Sequence, residues 1–295
     1  MKNFIMIGGS GYIAPRHMEA IKKTGNNLLA VHDINDSIGI LDKYFPKALF
    51  FKDINKFKKY IKNIQLKKKI DYLTICSPNY LHLKHIELGL RNSINVICEK
   101  PIVLEPKDLI KIKKLELKFK KKVNCILQLR LNKKLVQLKE KIKKTKNKNF
   151  NVKIKYVSYR GDWFFKSWKG NASLSGGIAT NIGIHFFDLL FWLFGARFNN
   201  KIVKKSNDHV SGNLIINDTI KINWFLSVRR KDLPKKNIST YRSIKINDNE
   251  IEFSNNFNNL HILSYKKIIK NEGFGIDTVF QSIDLCYQIR NFINK

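Results

Sequence analysis

Lys100 follows an apolar run, Asn95–Cys98, and sits between Glu99 and Pro101. A lysine at the end of a buried strand must emerge into solvent or into a site. Partial desolvation there lowers an ammonium pKa and suits it to acid or base work. The second group able to handle a proton is His185. It closes Ser175–His185, a glycine-broken loop that runs into a helix, and Asn181 four residues earlier shares its helix face. Glycines 176, 177 and 183 let a ligand or a second backbone approach closely. A single histidine in an apolar helix is ordinarily a hydrogen-bonded core residue, but the pairing with Asn181 and the glycine-rich entry favour a site. Upstream, Arg160–Gly170 gathers Arg160, Lys166 and Lys169 with Trp163 and Trp168. That mixture suits a phosphate or carboxylate carried on a ring that can stack, although an interface patch could have the same composition.

Gly9-Ser10-Gly11-Tyr12-Ile13-Ala14 fits G-x-G-x-x-A between a strand and a helix. Glycines there allow a tight turn and close approach to a pyrophosphate, and the helix start supplies aligned N–H donors. Asp33 closes the next apolar run, where a carboxylate can accept from both ribose hydroxyls. No Arg or Lys follows at once to hold a 2′-phosphate, so the spacing predicts NAD rather than NADP. Ser77, Asn79, His82 and Glu99 follow later strands, at the ends where open α/β sheets bind ligands. Ser77-Pro78-Asn79 also reads plainly as a turn and helix cap.

These residues need a scaffold, and the hydrophobic pattern provides one. Through residue 123, short apolar runs alternate with helix-period segments: strands at Phe4–Ile7, Leu28–His32, Tyr72–Cys76, Asn95–Cys98 and Val123–Leu129, and helices at Ile13–Lys23, His82–Leu90 and Leu104–Lys120. After Phe150 the texture changes to short alternating strands, Val152–Tyr159, Lys201–Lys205, Gly212–Ile216, Thr219–Val228, Arg242–Ile246 and Glu250–Phe253. An apolar helix over about Gly177–Phe194 interrupts them, and another closes the chain near Val279–Ile293. The Lys-rich stretch Lys139–Lys148 reads as a solvated helix end. The expected organisation is an α/β Rossmann domain over 1–123 and an α+β domain with an open-faced, mainly antiparallel sheet over 124–295.

At 295 residues the chain has room for two domains, and its formal net charge of +33 favours anionic partners. Nine arginines stand against 47 lysines spread over amphipathic helices. A nucleic-acid surface clusters its charge and uses arginine, so compositional drift accounts for the excess better than a specific nucleic-acid role. Four scattered cysteines, 76, 98, 125 and 286, suggest neither a zinc site nor a disulfide framework. The opening apolar run is too short for a signal peptide, and Ile182–Gly195 falls short of the ~20 residues a bilayer requires. A cytoplasmic protein without membrane insertion is expected, with no metal.

The glycine turn, Ser77-Pro78-Asn79, Glu99-Lys100-Pro101 and the Gly176-Gly177…His185 helix together resemble the Gfo/Idh/MocA oxidoreductases. Gly11–His17, Asp36–Asp42, Ile75–His82, Ile126–Arg130 and Arg160–Asp188 narrow the likeness to a branch that handles UDP-sugar acids for bacterial surface polysaccharides. The resemblance implies NAD-dependent oxidation of the C3 hydroxyl of UDP-N-acetylglucosaminuronic acid in O-antigen precursor synthesis. It implies a homo-oligomer, a tetramer in the family, and in some members reoxidation of bound NADH by 2-oxoglutarate. It assigns Lys100 and His185 to the catalytic pair, leaving open which is the base. Gly9, Gly11, Tyr12, Ile13, Asp33, Ser77, Asn79, His82, Glu99 and Gln128 fall to the cofactor. Arg160, Lys166, Trp168, Lys169 and Asn181, with Lys100 and His185, fall to the substrate. Many members carry Asp where this chain has Asn181, which can orient an imidazole but cannot stabilise an imidazolium as a carboxylate does.

Overall fold

The computed structural model describes residues 1–67, 69–146, 149–254 and 259–292. The chain divides into two compact units, Met1–Val103 with Lys107–Gln128 and Asn258–Thr278, and Leu104–Pro106 with Leu129–Phe257 and Val279–Lys295.

In the first unit, β1 (Asn3–Ile7), β2 (Asn27–His32), β3 (Leu49–Phe51), β4 (Tyr72–Ile75), β5 (Asn95–Cys98) and β6 (Val123–Cys125) form a sheet of order β3-β2-β1-β4-β5-β6. Every pairing in it is parallel. The strand order reverses between β1 and β4, which opens a crevice at their carboxyl ends. Phe4, Ile5, Met6 and Ile7 are all buried, as a strand covered on both faces requires. Helices α1 (Ala14–Lys23), α2 (Ile40–Tyr44), α3 (Ile54–Gln65), α4 (His82–Arg91) and α5 (Pro106–Phe119) alternate with the strands. The α1 helix turns Ala14, His17, Met18 and Ile21 inward, at the spacing of a single helix face. Asp53 caps α3 by accepting the N–H groups of Asn55 and Lys56 at 2.6 and 3.0 Å.

The expected strands and helices of this half are present, with differences. β3, α2 and α3 have no counterpart in the sequence reading, because β3 is three residues long with no fully buried position to mark it. The strand expected to run to Leu129 stops at Cys125, and Gln128–Leu131 turns as a 3₁₀ helix.

The second unit holds α6 (Lys133–Lys144) and a mixed sheet of β7 (Phe150–Ser158), β8 (Phe198–Lys205), β9 (His209–Ile216), β10 (Ile220–Ser227), β11 (Thr240–Ile246) and β12 (Asn249–Glu252), ordered β12-β11-β7-β10-β9-β8. β7 and β10 pair in parallel and all other neighbours are antiparallel. Val152, Ile154, Ile222 and Trp224 face the core while Asn151, Lys153, Lys221 and Asn223 face solvent, the period of two that leaves one face open. Asn147 and Lys148, at the end of the Lys-rich stretch, lie outside the described residues.

The apolar helix expected over about Gly177–Phe194 is present, with a π turn inside it. α7 (Trp163–Lys166) precedes it; α8 (Ala172–Ser175) ends on Gly176, whose φ of 84° is left-handed; a π turn spans Ala179–Gly183; and α9 (Ile184–Phe194) continues into the core. A side chain at Gly183 would drive its Cβ into Leu226 Cδ1, so only glycine lets the helix start lie this close to β10. Phe187 meets Trp224 edge to face at 5.4 Å. Ala172–Phe194 is long and apolar enough to cross a membrane, yet 78% of its most apolar window is buried in the protein.

The single boundary expected at 123/124 is replaced by a chain that leaves the first unit and returns. Helix α10 (Leu260–Ile269) belongs to the first unit, where Tyr265 is fully buried with its ring 5.7 Å from those of Phe4 and His17. Its apolar face closes the core over α1 and β1, which local periodicity cannot reveal. α11 (Phe280–Asn291) then completes the second unit close to the expected range.

Candidate active site

All ten residues expected at the cofactor belong to the first unit, and they follow the carboxyl ends of its strands. Gly8 leaves β1 at φ 89°, with its N–H on His32 O at 2.8 Å. A Cβ there would lie 2.5 Å from the Cys76 carbonyl carbon and the Ser77 nitrogen, so this turn threads between β1 and β4 only as glycine. The motif as read from sequence starts at Gly9 and misses Gly8, although the Gly8-Gly9 doublet is the available signal. Gly9 packs against β2, where a Cβ would collide with Val31 Cγ1. Tyr12 stands 83% exposed beside the turn.

Asp33, directly after β2, accepts the Ser10 N–H through Oδ2 and the Asn35 N–H through Oδ1, both at 2.9 Å. It thereby ties the glycine turn to the strand end and orients a carboxylate beside it. After β4, Ser77 Oγ lies 2.8 Å from Nδ1 of His85, whose pKa burial pushes down to about 3. Asn79 is buried at the start of the following turn. His82 is fully buried, with Nδ1 2.7 Å from Pro101 O and Nε2 2.8 Å from Ser77 O. Its ring therefore braces two strand-end loops against each other. After β5, Glu99 is buried and Lys100 follows it into a cis peptide with Pro101.

Three features of this edge suit a dinucleotide. The α1 start has no side-chain cap and no acidic residue in its first turn, so no carboxylate of the helix itself opposes a phosphate there. Gly8 and Gly9 hold the backbone where a Cβ would collide. Gln128 Oε1, past β6, is buried with no hydrogen-bond partner among the described residues, an acceptor that a ligand donor would satisfy.

The expected substrate residues other than Lys100 belong to the second unit. Asn181 lies in the π turn and His185 in the first turn of α9; both are partly exposed amid buried neighbours. Asn181 Nδ2 donates to the Lys169 carbonyl at 3.4 Å, which links this helix face to the cationic loop. Lys169 Nζ lies 5.3 and 5.8 Å from the ring centres of Trp163 and Trp168. Phe164 is buried and anchors the loop, whereas Lys166 is exposed and Arg160 half-buried. One turn beyond His185, Asp188 accepts two bonds from Arg130, at 2.9 Å from Nε and 2.6 Å from the terminal nitrogen. Both side chains are buried, and the pair pins α9 to the turn at Gln128–Leu131. Sequence reasoning missed this pair because its members are 58 positions apart.

Residues 2–127 match the model of the Gfo/Idh/MocA oxidoreductase family's NAD-binding Rossmann fold, and residues 141–225 match that of its C-terminal alpha/beta domain. The structure is similar to the WlbA (WbpB) dehydrogenase of Thermus thermophilus, solved once with NAD and alpha-ketoglutarate and once with NAD and UDP-GlcNAcA. In both cases identity is 38% and the TM-score 0.96, over 100% of this chain and 96% of that one. The WlbA dehydrogenase of Bordetella pertussis, solved with NADH and UDP-GlcNAcA, shares the fold at 18% identity and a TM-score of 0.78, over 98% of this chain and 94% of that one. Glucose-6-phosphate 3-dehydrogenase of Bacillus subtilis strain 168 is 27% identical over 224 residues, 71% of this chain but 59% of that relative's length.

Proposed function

The chain belongs to the Gfo/Idh/MocA oxidoreductase family, and on that premise we propose that it oxidises the C3 hydroxyl of UDP-N-acetylglucosaminuronic acid to a ketone, with NAD as oxidant. The observation that carries this reading is the full-length likeness to a dehydrogenase solved with NAD and UDP-GlcNAcA. The cation-and-indole loop of the second unit supports it, because a diphosphate, a uronate and a uracil ring ask for that mixture.

NAD, when bound, supplies the acceptor for the hydride that leaves C3. Gly8, Gly9, Gly11, Tyr12 and Ile13 form the turn for its pyrophosphate, and Asp33 receives ribose hydroxyls. Ser77, Asn79, Glu99 and Gln128 serve its other half, with His82 holding their loops in place. Lys100 and His185 handle the proton: one removes it from the C3 hydroxyl as the C–H bond breaks, and the other donates a hydrogen bond to the oxygen. Asn181 orients His185. Arg160, Lys166, Trp168 and Lys169 bind the nucleotide and the carboxylate.

Reoxidation in place balances the cycle. 2-Oxoglutarate accepts the hydride at its keto carbon and a proton on its keto oxygen and becomes 2-hydroxyglutarate; the Thermus relative solved with alpha-ketoglutarate supports this second half-reaction. The keto sugar then serves amination in O-antigen precursor synthesis, in the cytoplasm, by a homo-oligomeric enzyme.

The test is mass-spectrometric turnover of UDP-N-acetylglucosaminuronic acid with NAD, with and without 2-oxoglutarate. The expected product has lost two hydrogens and accumulates faster with 2-oxoglutarate. Folded, NAD-loaded protein that leaves this sugar untouched but oxidises glucose 6-phosphate at C3 would replace the substrate assignment.

A further inference from the structure

Glu99 ends β5 with a carboxylate that protein donors surround. Its Oε1 lies 2.8 Å from Nε2 of His17 on α1 and 3.2 Å from Nε2 of His261 on α10; Oε2 accepts the backbone N–H of Lys100 at 3.1 Å. Behind His17, Nδ1 lies 2.9 Å from the Tyr265 hydroxyl, which lies 2.9 Å from Thr74 Oγ1 on β4. All five of these side chains are buried.

The protons in this chain have one direction. An ionised carboxylate only accepts, so Nε2 of each histidine must carry hydrogen. Nδ1 of His17 is then a lone pair that takes the Tyr265 O–H, and the Tyr265 oxygen takes the Thr74 O–H. Burial opposes the charge on Glu99, but hydrogen bonds from His17 and His261 outweigh it and hold the carboxyl well below its usual range. Burial lowers His17 and raises Tyr265, which keeps both neutral. The two histidines and Glu99 also offer donor atoms within 4.8 Å of one another, as metal ligands would. The hydrogen bonds pair each of those atoms without one.

Three elements distant in sequence thus converge on the carboxylate immediately before Lys100. We propose that His17 and His261 are positioning residues that clamp Glu99 and, through its bond to the Lys100 N–H, fix the backbone from which the Lys100 ammonium reaches its substrate. This rests on the role proposed for Lys100, so one of the two readouts needs no sugar.

The experiment compares His261→Asn, whose amide is too short to reach Glu99, with His261→Gln, whose amide nitrogen can take the place of Nε2, both in the NAD-loaded protein. Amide hydrogen exchange is followed in the peptide spanning residues 99–103, and kcat and KM are measured beside it. The asparagine variant should exchange faster at the Lys100 amide and lose ~10–100-fold in kcat, the scale on which small misplacements act. KM for the sugar should stay unchanged, and the glutamine variant should restore both readouts. Unchanged exchange in the asparagine variant would overturn the proposal. Equal losses in both variants would do so too, by pointing to packing alone, as would one equivalent of tightly bound metal in the wild type. A wild type inactive on the UDP-sugar acid would strike the substrate reading and leave the exchange comparison to decide this one.

Discussion

The strand-end edge of the first unit and the Arg160–His185 segment of the second solve the problem of holding polar groups differently. On the strand edge, the polar groups at Asp33, Ser77, His82 and Glu99 have protein partners, most of them buried. In the second segment Lys166 is exposed, Arg160 and Lys169 are half-exposed, and one buried ring, Phe164, anchors the loop. A cofactor that recurs in every cycle rewards a site organised before it arrives. A large anionic substrate that must enter and leave is better met by cations that settle on it. The prediction from this contrast is that damage on the strand edge shows in folding and cofactor affinity, whereas damage in the loop shows in KM.

Lys100 and His185 sharpen the contrast most, since the proposal places one on each unit. Lys100→Ala and His185→Ala should each lower turnover by ~10³-fold, within the range for lost acid–base groups, while NADH fluorescence reports unchanged binding. Cofactor loss in both would erase the division of labour. Next in size is Arg130→Ala, which strands Asp188 as a buried unpaired charge beneath the helix that carries His185. A loss of ~3–5 kcal/mol is expected in denaturant unfolding; an unchanged midpoint would mean that α9 is held by packing alone. Gly8→Ala forces a left-handed residue against the Cys76 and Ser77 backbone. The conformation alone costs ~1–2 kcal/mol, so denaturant unfolding should find the stability lowered by at least that much.

Those strand-edge effects trace to features unequally visible in the sequence. Gly9, Gly11 and Asp33 could be read because a glycine turn and the carboxylate that receives ribose lie within one βαβ unit. Glu99 and Lys100 could be located at a strand end, but not understood there. The partner His261 is 162 positions from Glu99, on a helix that returns to the first unit after the whole mixed sheet. The π turn before α9 was invisible for another reason: Ala179–Gly183 carries a helical pattern, and packing of Gly183 against β10 decides its winding.

In the loop the effects should be smaller. Arg160→Ala, Lys166→Ala and Lys169→Ala should each raise KM by ~2–13-fold, matching one hydrogen bond of about 0.5–1.5 kcal/mol, with kcat near wild type and the effect shrinking at high salt. A kcat loss without a KM change would move these residues to the catalytic side. The smallest expected effect tests the buried edge through pH. His85 titrates near 3 in the folded protein because burial disfavours its charged form, against 6.5 for a free imidazole. Above 6.5 both states are neutral and the group contributes nothing to the pH dependence. As pH falls from 6.5 toward 3 the unfolded state takes a proton that the folded state refuses, so stability declines. His85→Gln should flatten that limb by up to one proton in the pH slope of unfolding free energy; an identical slope would place His85 in contact with water.

The central claim is hydride removal from C3 of a UDP-sugar acid, and deuterium placed at that carbon follows it directly. The NAD-loaded enzyme would receive UDP-N-acetylglucosaminuronic acid labelled with deuterium at C3, together with 2-oxoglutarate, and the products would be read by mass spectrometry and NMR. The account predicts a 3-keto sugar without the label and 2-hydroxyglutarate carrying it at C2. Label retained in a turned-over sugar, or a ketone formed at another carbon, would contradict it.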